Sequence, residues 1–185
     1  MLDDFIATYQ TATVVVAQTT YAVVATPAGN FRIDFIDKAE ARLKPKKHGA
    51  LFCDSVHPLL LGYNGGAATV YINSRPKDSQ SLFTDIQEQI QTIYQGWRDW
   101  RCVLFGRGEH AEHWLRTNLS DGSGMLLQKA PALVVKTVVD ICTTHGVSTT
   151  VFGDAAPVPH TADPFYVLLI GSSYVIVKGF RVHAL

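Results

Sequence analysis

The stretch 78–97, DSQSLFTDIQEQIQTIYQGW, has the clearest periodicity in the chain. Leu82, Phe83, Ile86, Ile90, Ile93, Tyr94 and Trp97 recur at steps of one, three and four, which aligns them on one stripe of an α-helix. Gln87, Glu88, Gln89, Gln91, Thr92 and Gln95 fill the opposite face. Pro76 stops what precedes, Asp78 or Ser79 is placed to accept hydrogen bonds from the first turn, and Gly96 marks the far end. Burying seven such side chains is worth roughly 10 to 20 kcal/mol. That matches the whole margin of about 5 to 15 kcal/mol by which a domain is stable, so this helix is a scaffold element.

Upstream of it lie strands. A short helix is expected at residues 2 to 10, then TATVVVAQ and YAVVATP, rich in β-branched residues, read as strands. FRIDFID alternates, with Phe31, Ile33 and Phe35 on one face and Arg32 and Asp34 on the other, as in a half-exposed strand closing an antiparallel meander. GALFCD and AATVYINS are further strands, separated by a segment with the turn Asn64-Gly65-Gly66. Between them and the meander, DKAEARLKPKKH is the one dense charge run. Its lysines around Pro45 suit phosphate contact, but Asp34, Asp37, Glu40 and Asp54 lie close in sequence, and the run reads as a solvated loop.

Downstream, WRCVLF at 100–105 reads as a short strand and EHAEHWLRTN as a two- to three-turn helix with Glu112 and Arg116 paired at i,i+4. MLLQKA is a strand, and Pro131 opens a second long helix that ends at Gly146, with Val134, Val135, Val138, Ile141 and Cys142 inward. VSTTVFG is a strand. FYVLLIG and YVIVKGFRV form a hairpin apolar on both faces, which places it centrally under the helices. Strands come in runs rather than alternating with helices, so residues 1–185 are expected to form a single α+β domain, a largely antiparallel sheet with two long helices packed on it.

Composition narrows the function classes. With 47% hydrophobic and 17% charged residues the chain has ample material for a core. Sixteen basic residues balance sixteen acidic ones, so no global field draws nucleic acid or an anionic membrane, and any such contact has to be local. Cys53, Cys102 and Cys142 are widely spaced beside apolar runs, which suggests buried, reduced thiols in a cytoplasmic protein. The start has no secretory pattern, and no apolar window is long enough to span a membrane.

Chemistry-bearing residues gather between 97 and 116. In WRDWR, Trp97 is assigned to the helix stripe, which leaves Arg98, Trp100 and Arg101 for a protein or small-molecule partner. FGRGEHA fits the dinucleotide pattern through Gly106, Gly108 and Ala111, with Arg107 in the turn. Glu109 places a negative charge where a phosphate would sit, and no acid ends a strand about 20 residues on. His110 and His113, at i,i+3, are candidate ligands for a divalent metal, with Glu109 or Glu112 as ligand or base of a metal-assisted hydrolase. His160, between Asp154 and Asp163 in a proline-rich loop, is a further catalytic candidate. No nucleophile elbow, Walker loop, EF-hand or C-x-x-C pair is present. The leading expectation is a binding module rather than an enzyme.

Overall fold

A computed structural model describes residues 2–106, 109–154 and 164–185. In chain order the elements are α1 (Leu2–Thr8), β1 (Thr11–Ala17), β2 (Tyr21–Thr26), β3 (Gly29–Ile36), β4 (Glu40–Arg42), β5 (His48–Asp54), β6 (Ala67–Ile72), α2 (Ser79–Tyr94), α3 (Glu109–Asp121), β7 (Gly124–Pro131), α4 (Ala132–Thr144), β8 (Thr149–Gly153), β9 (Tyr166–Ile170), β10 (Ser173–Val177) and β11 (Gly179–Ala184). The fold is mixed α+β with antiparallel strands throughout, as the run of strands and helices predicts. The chain separates into two compact units, one made of residues 1–60 and 160–185, the other of residues 61–159.

In the first unit eight strands lie in the order β11-β3-β2-β1-β5-β9-β10-β4. The row closes on itself. β3 runs into β4 through residues 37–39, and β10 runs into β11 through Lys178, so the two ends of the row are the same two stretches of chain. The Ala39 N–H donates to the Ile176 carbonyl at 2.9 Å and the Lys178 N–H to the Ile36 carbonyl at 3.0 Å, which carries the ladder across both junctions. The meander β1–β2–β3 is therefore as expected, but β3 does not close it. Joining the two ends of the row in this way shortens the edges the sheet leaves unpaired to the outer sides of β4 and β11.

Alternation fills the barrel interior. Val14, Val24, Ile33, Leu51, Leu168, Ile170, Val175 and Val177 form one buried cluster with Phe5 of α1, whose ring packs edge-on against Phe31 and Tyr9. β9 and β10 are buried on both faces, as their apolar runs predict; they are barrel staves, and Leu168, Ile170, Val175 and Val177 on their inward faces serve the barrel core. Register also shifts between Val14 and Val16 against β2, leaving Val15 as an extra, exposed residue. Such a bulge bends a strand and raises its twist, which suits closure. Gly49 and Gly171 pass so closely that a Cβ on Gly49 would lie 2.3 Å from the Gly171 Cα.

The second unit has a three-stranded sheet, β7-β6-β8, and the remaining helices. Val70 and Ile72 of β6, Leu126 and Leu127 of β7, the stripe of α2, Ala111, Leu115 and Leu119 of α3, and Val134, Val135, Val138 and Cys142 of α4 make a single core. Five of the seven stripe residues named in the sequence are buried on α2, Ile93 is partly buried, and Trp97 lies beyond the helix. Three further expectations change. WRCVLF is a 3-10 turn over Trp100–Val103, not a strand, because the Asp99 carboxylate accepts from the Arg101 N–H and caps it; only Leu104 makes an isolated bridge, to Leu127. Helix α3 is longer than expected and runs to Asp121. Pro131 is the residue before α4 rather than its first. No helix among the described residues is long and apolar enough to cross a membrane.

Candidate functional site

The site with the most chemistry grows from the end of α2. The Asp78 carboxylate accepts from the N–H groups of Gln80 and Ser81, which fixes where the helix starts and hence its rotation. The helix stops where Gln95 and Gly96 take positive φ angles of 50° and 77°, conformations that glycine tolerates at no steric cost. The chain then turns back into the 3-10 turn capped by Asp99.

This reversal forms a concavity of about 480 Å³ lined by Gln87, Gln91, Gly96, Arg98, Asp99, Trp100 and Arg101. Arg98, Trp100 and Arg101, the three residues nominated from WRDWR, are thus brought together. The roles of the two tryptophans are reversed, however. Trp100 is 3% exposed and packs edge-on against Phe83 at 5.8 Å between centroids, so most of its ring belongs to the core. Trp97 sits outside the helix and is half-buried. Gln87 and Gln91 were legible only as a bland polar face; their i,i+4 spacing one turn from the helix end is the feature that puts both amides on the groove.

Behind the groove the charges are organised as a ladder. Arg101 donates through Nη1 to Asp99 Oδ2 at 3.2 Å and through Nη2 to Glu112 Oε2 at 2.9 Å. Arg116 donates to Glu112 Oε1 at 3.0 Å and to Gln80 Oε1 at 2.8 Å, while its guanidinium lies 3.5 Å from the centroid of the Phe83 ring. The i,i+4 pairing of Glu112 and Arg116 is as expected. Arg101 first, then Arg116, hold the Glu112 carboxyl below its ordinary range. A second link ties the helix to the turn: the Tyr94 hydroxyl is hydrogen-bonded with the Cys102 thiol, and burial pushes the Tyr94 hydroxyl up. Residue Cys102 is exposed and Cys53 half-buried, so of the three free cysteines only Cys142 is fully buried, its thiol pushed up to about 11.

The other candidates do not join this groove. His110 and His113 are exposed on α3, and His113 stands beside Trp114. Glu112, their proposed companion, is engaged by two arginines, and among the described residues no three His, Cys, Asp or Glu side chains converge as a metal site. Arg107, Gly108 and His160 lie outside the described residues, as does the side chain of Glu109. Gly106 is preceded by the 3-10 turn and not by a strand, so the strand-to-helix context that a dinucleotide turn requires is missing. No family profile matches the chain, and no curated protein or solved structure is significantly similar to it.

Proposed function

We propose that the protein is a binding module whose groove at the end of α2 receives a polar segment of a protein or a small polar molecule. One observation carries this reading: Arg98, Trp100 and Arg101 line a single concavity together with the amides of Gln87 and Gln91. The lining offers guanidinium and amide donors, an Asp99 carboxylate as acceptor, and the edge of a large aromatic ring. Such a mixture suits a ligand with at least one carboxylate or carbonyl acceptor, which a guanidinium binds in a fork. The Arg101 Nη atoms are held by Asp99 and Glu112, which fixes the guanidinium at the groove.

The test is a screen of amino acids, short peptides, sugars and nucleotides by thermal shift, with each hit mapped by amide chemical shifts. Hits are expected to perturb Gly96, Arg98 and Arg101 and to vanish in Gln91→Trp, which fills the groove from an exposed helix position. Hits that survive Gln91→Trp, or that map away from residues 87–101, reject the reading. Arg98→Ala is expected to weaken binding while leaving the melt intact.

A further inference from the structure

The charge run that reads as a solvated loop is folded into a specific device in the barrel unit. Residues Lys44, Pro45, Lys46 and Lys47 form a β-turn closed by the Lys47 N–H donating to the Lys44 carbonyl at 3.3 Å. Proline at the second position and a φ of 63° at Lys46 in the third define it as a type II turn. That third position favours glycine, and a side chain there is strained. The turn is also pinned. The Lys46 N–H donates to the Val14 carbonyl at 2.7 Å, the Val14 N–H donates to the Lys47 carbonyl at 3.0 Å, and the Lys44 N–H donates at 3.1 Å to the hydroxyl of Ser173, a fully buried residue. His48, next in the chain, bonds to the Thr13 hydroxyl.

Three ammonium groups are therefore carried by four residues whose first and last Cα atoms lie within about 7 Å of each other. Arg42, two residues before the turn, is the last residue of β4. Arg42, Lys44, Lys46 and Lys47 are all exposed, and none of them makes an ion pair among the described residues. Glu40, the acid nearest along the chain on this side, accepts from the Tyr174 hydroxyl. Like charges at this spacing repel, and Lys46 adds backbone strain. Neither feature helps the barrel fold, so both point to a ligand that gains from them.

We propose that the Lys44–Lys47 turn is a docking site for clustered phosphates. Its hydrogen-bonded backbone gathers the three lysines before a ligand arrives, and lysine acts on phosphate as a point charge. The shared chemistry is two or more phosphate groups within reach of one turn, supplied either by a free polyphosphate or by a multiply phosphorylated lipid headgroup.

The test uses the whole protein at near-physiological salt. Inorganic tripolyphosphate is titrated while backbone amides are followed, with inorganic phosphate as the single-group control. The two lipid arms are phosphatidylcholine vesicles alone and phosphatidylcholine vesicles containing phosphatidylinositol bisphosphate. Expected are saturable shifts confined to Lys44–His48 and neighbouring β1 amides with tripolyphosphate, weaker ones with phosphate, and, for a lipid source, sedimentation only with the bisphosphate vesicles. Lys46→Gly keeps the turn and removes one ammonium, so affinity falls about fivefold, the factor equivalent to about 1 kcal/mol per lysine, while the melt does not fall. Lys44→Gln/Lys47→Gln abolishes saturation. No saturable shift at this turn, affinity unchanged in Lys46→Gly, or tighter binding of a short DNA duplex with shifts spread beyond the turn would each overturn the proposal.

Discussion

The two units solve the same problem, what to do with a sheet, in opposite ways. In the barrel unit the sheet curls until its last strands meet and the apolar faces look at one another, so its core needs only the short α1 as a plug. In the other unit three strands stay open, and α2, α3 and α4 supply the core they cannot make alone. The difference decides where chemistry can sit. Closed strands leave only their connecting turns free, and the basic turn at 44–47 is such a connection. Helices laid on a sheet end somewhere, and the groove at Gly96 is where one ends.

The strongest challenge to this contrast is a buried charge in each core. Ile33→Asp is expected to abolish amide protection in the barrel and Ile90→Asp to abolish it in the helical unit, since both side chains are fully buried. Cys142 gives an independent readout: it should be alkylated at the unfolded rate in Ile90→Asp and stay protected in Ile33→Asp. Loss of protection in both units from either change would show that they do not unfold separately. Next in size, Gly49→Ala forces a Cβ into the Gly171 backbone and should destabilise by about 1 to 3 kcal/mol or more. Gly62→Ala meets nothing within 4 Å and should stay within about 0.5 kcal/mol of the parent in the same denaturant titration.

Smaller effects sharpen the two sites. Lys46→Gly should raise stability by up to about 1 kcal/mol, less the chain entropy that glycine adds to the unfolded state; a fall in denaturation midpoint would show that φ at Lys46 is not strained. Glu112→Gln tests the ladder through pH. Because the folded carboxyl titrates below its unfolded value of about 4.3, its contribution is fully present above that value and is lost as pH falls through the lower, folded one. The parent should therefore exceed the variant by no more than about 1 kcal/mol at neutral pH, and the two curves should converge in acid. Parallel curves down to acid pH would remove Glu112 from the ladder.

What could be read in advance follows the range of the interaction. Asp78 and the i,i+3,i+4 stripe specify α2 within a few residues of themselves, and Arg32 and Asp34 alternate with the inward residues of β3 because the pleat is local. Barrel closure rests on pairings such as Thr11 with Ala50 and Leu51 with Ile170, and nothing near either partner encodes the other. WRCVLF misled because an apolar run fits a buried turn as well as a strand, and Asp99 chose the turn. At the groove, Arg98 and Arg101 were visible as an unusual local pair, whereas Gln87 and Gln91 gained meaning only when the chain folded back past Gly96.

The barrel draws on both ends of the chain, and that has a consequence for synthesis on the ribosome. Strands β1 to β5 emerge early but lack β9, β10 and β11, so their ladder must wait while roughly a hundred further residues are translated. At about 5 to 20 residues per second that wait lasts several seconds, long enough for the helical unit, whose residues are contiguous, to fold first. Through that interval β3 and β5, whose neighbours β11 and β9 are still missing, carry unpaired backbone and an apolar face that chaperones recognise. The emergence of β9, β10 and β11 thus sets when the nascent barrel stops being vulnerable.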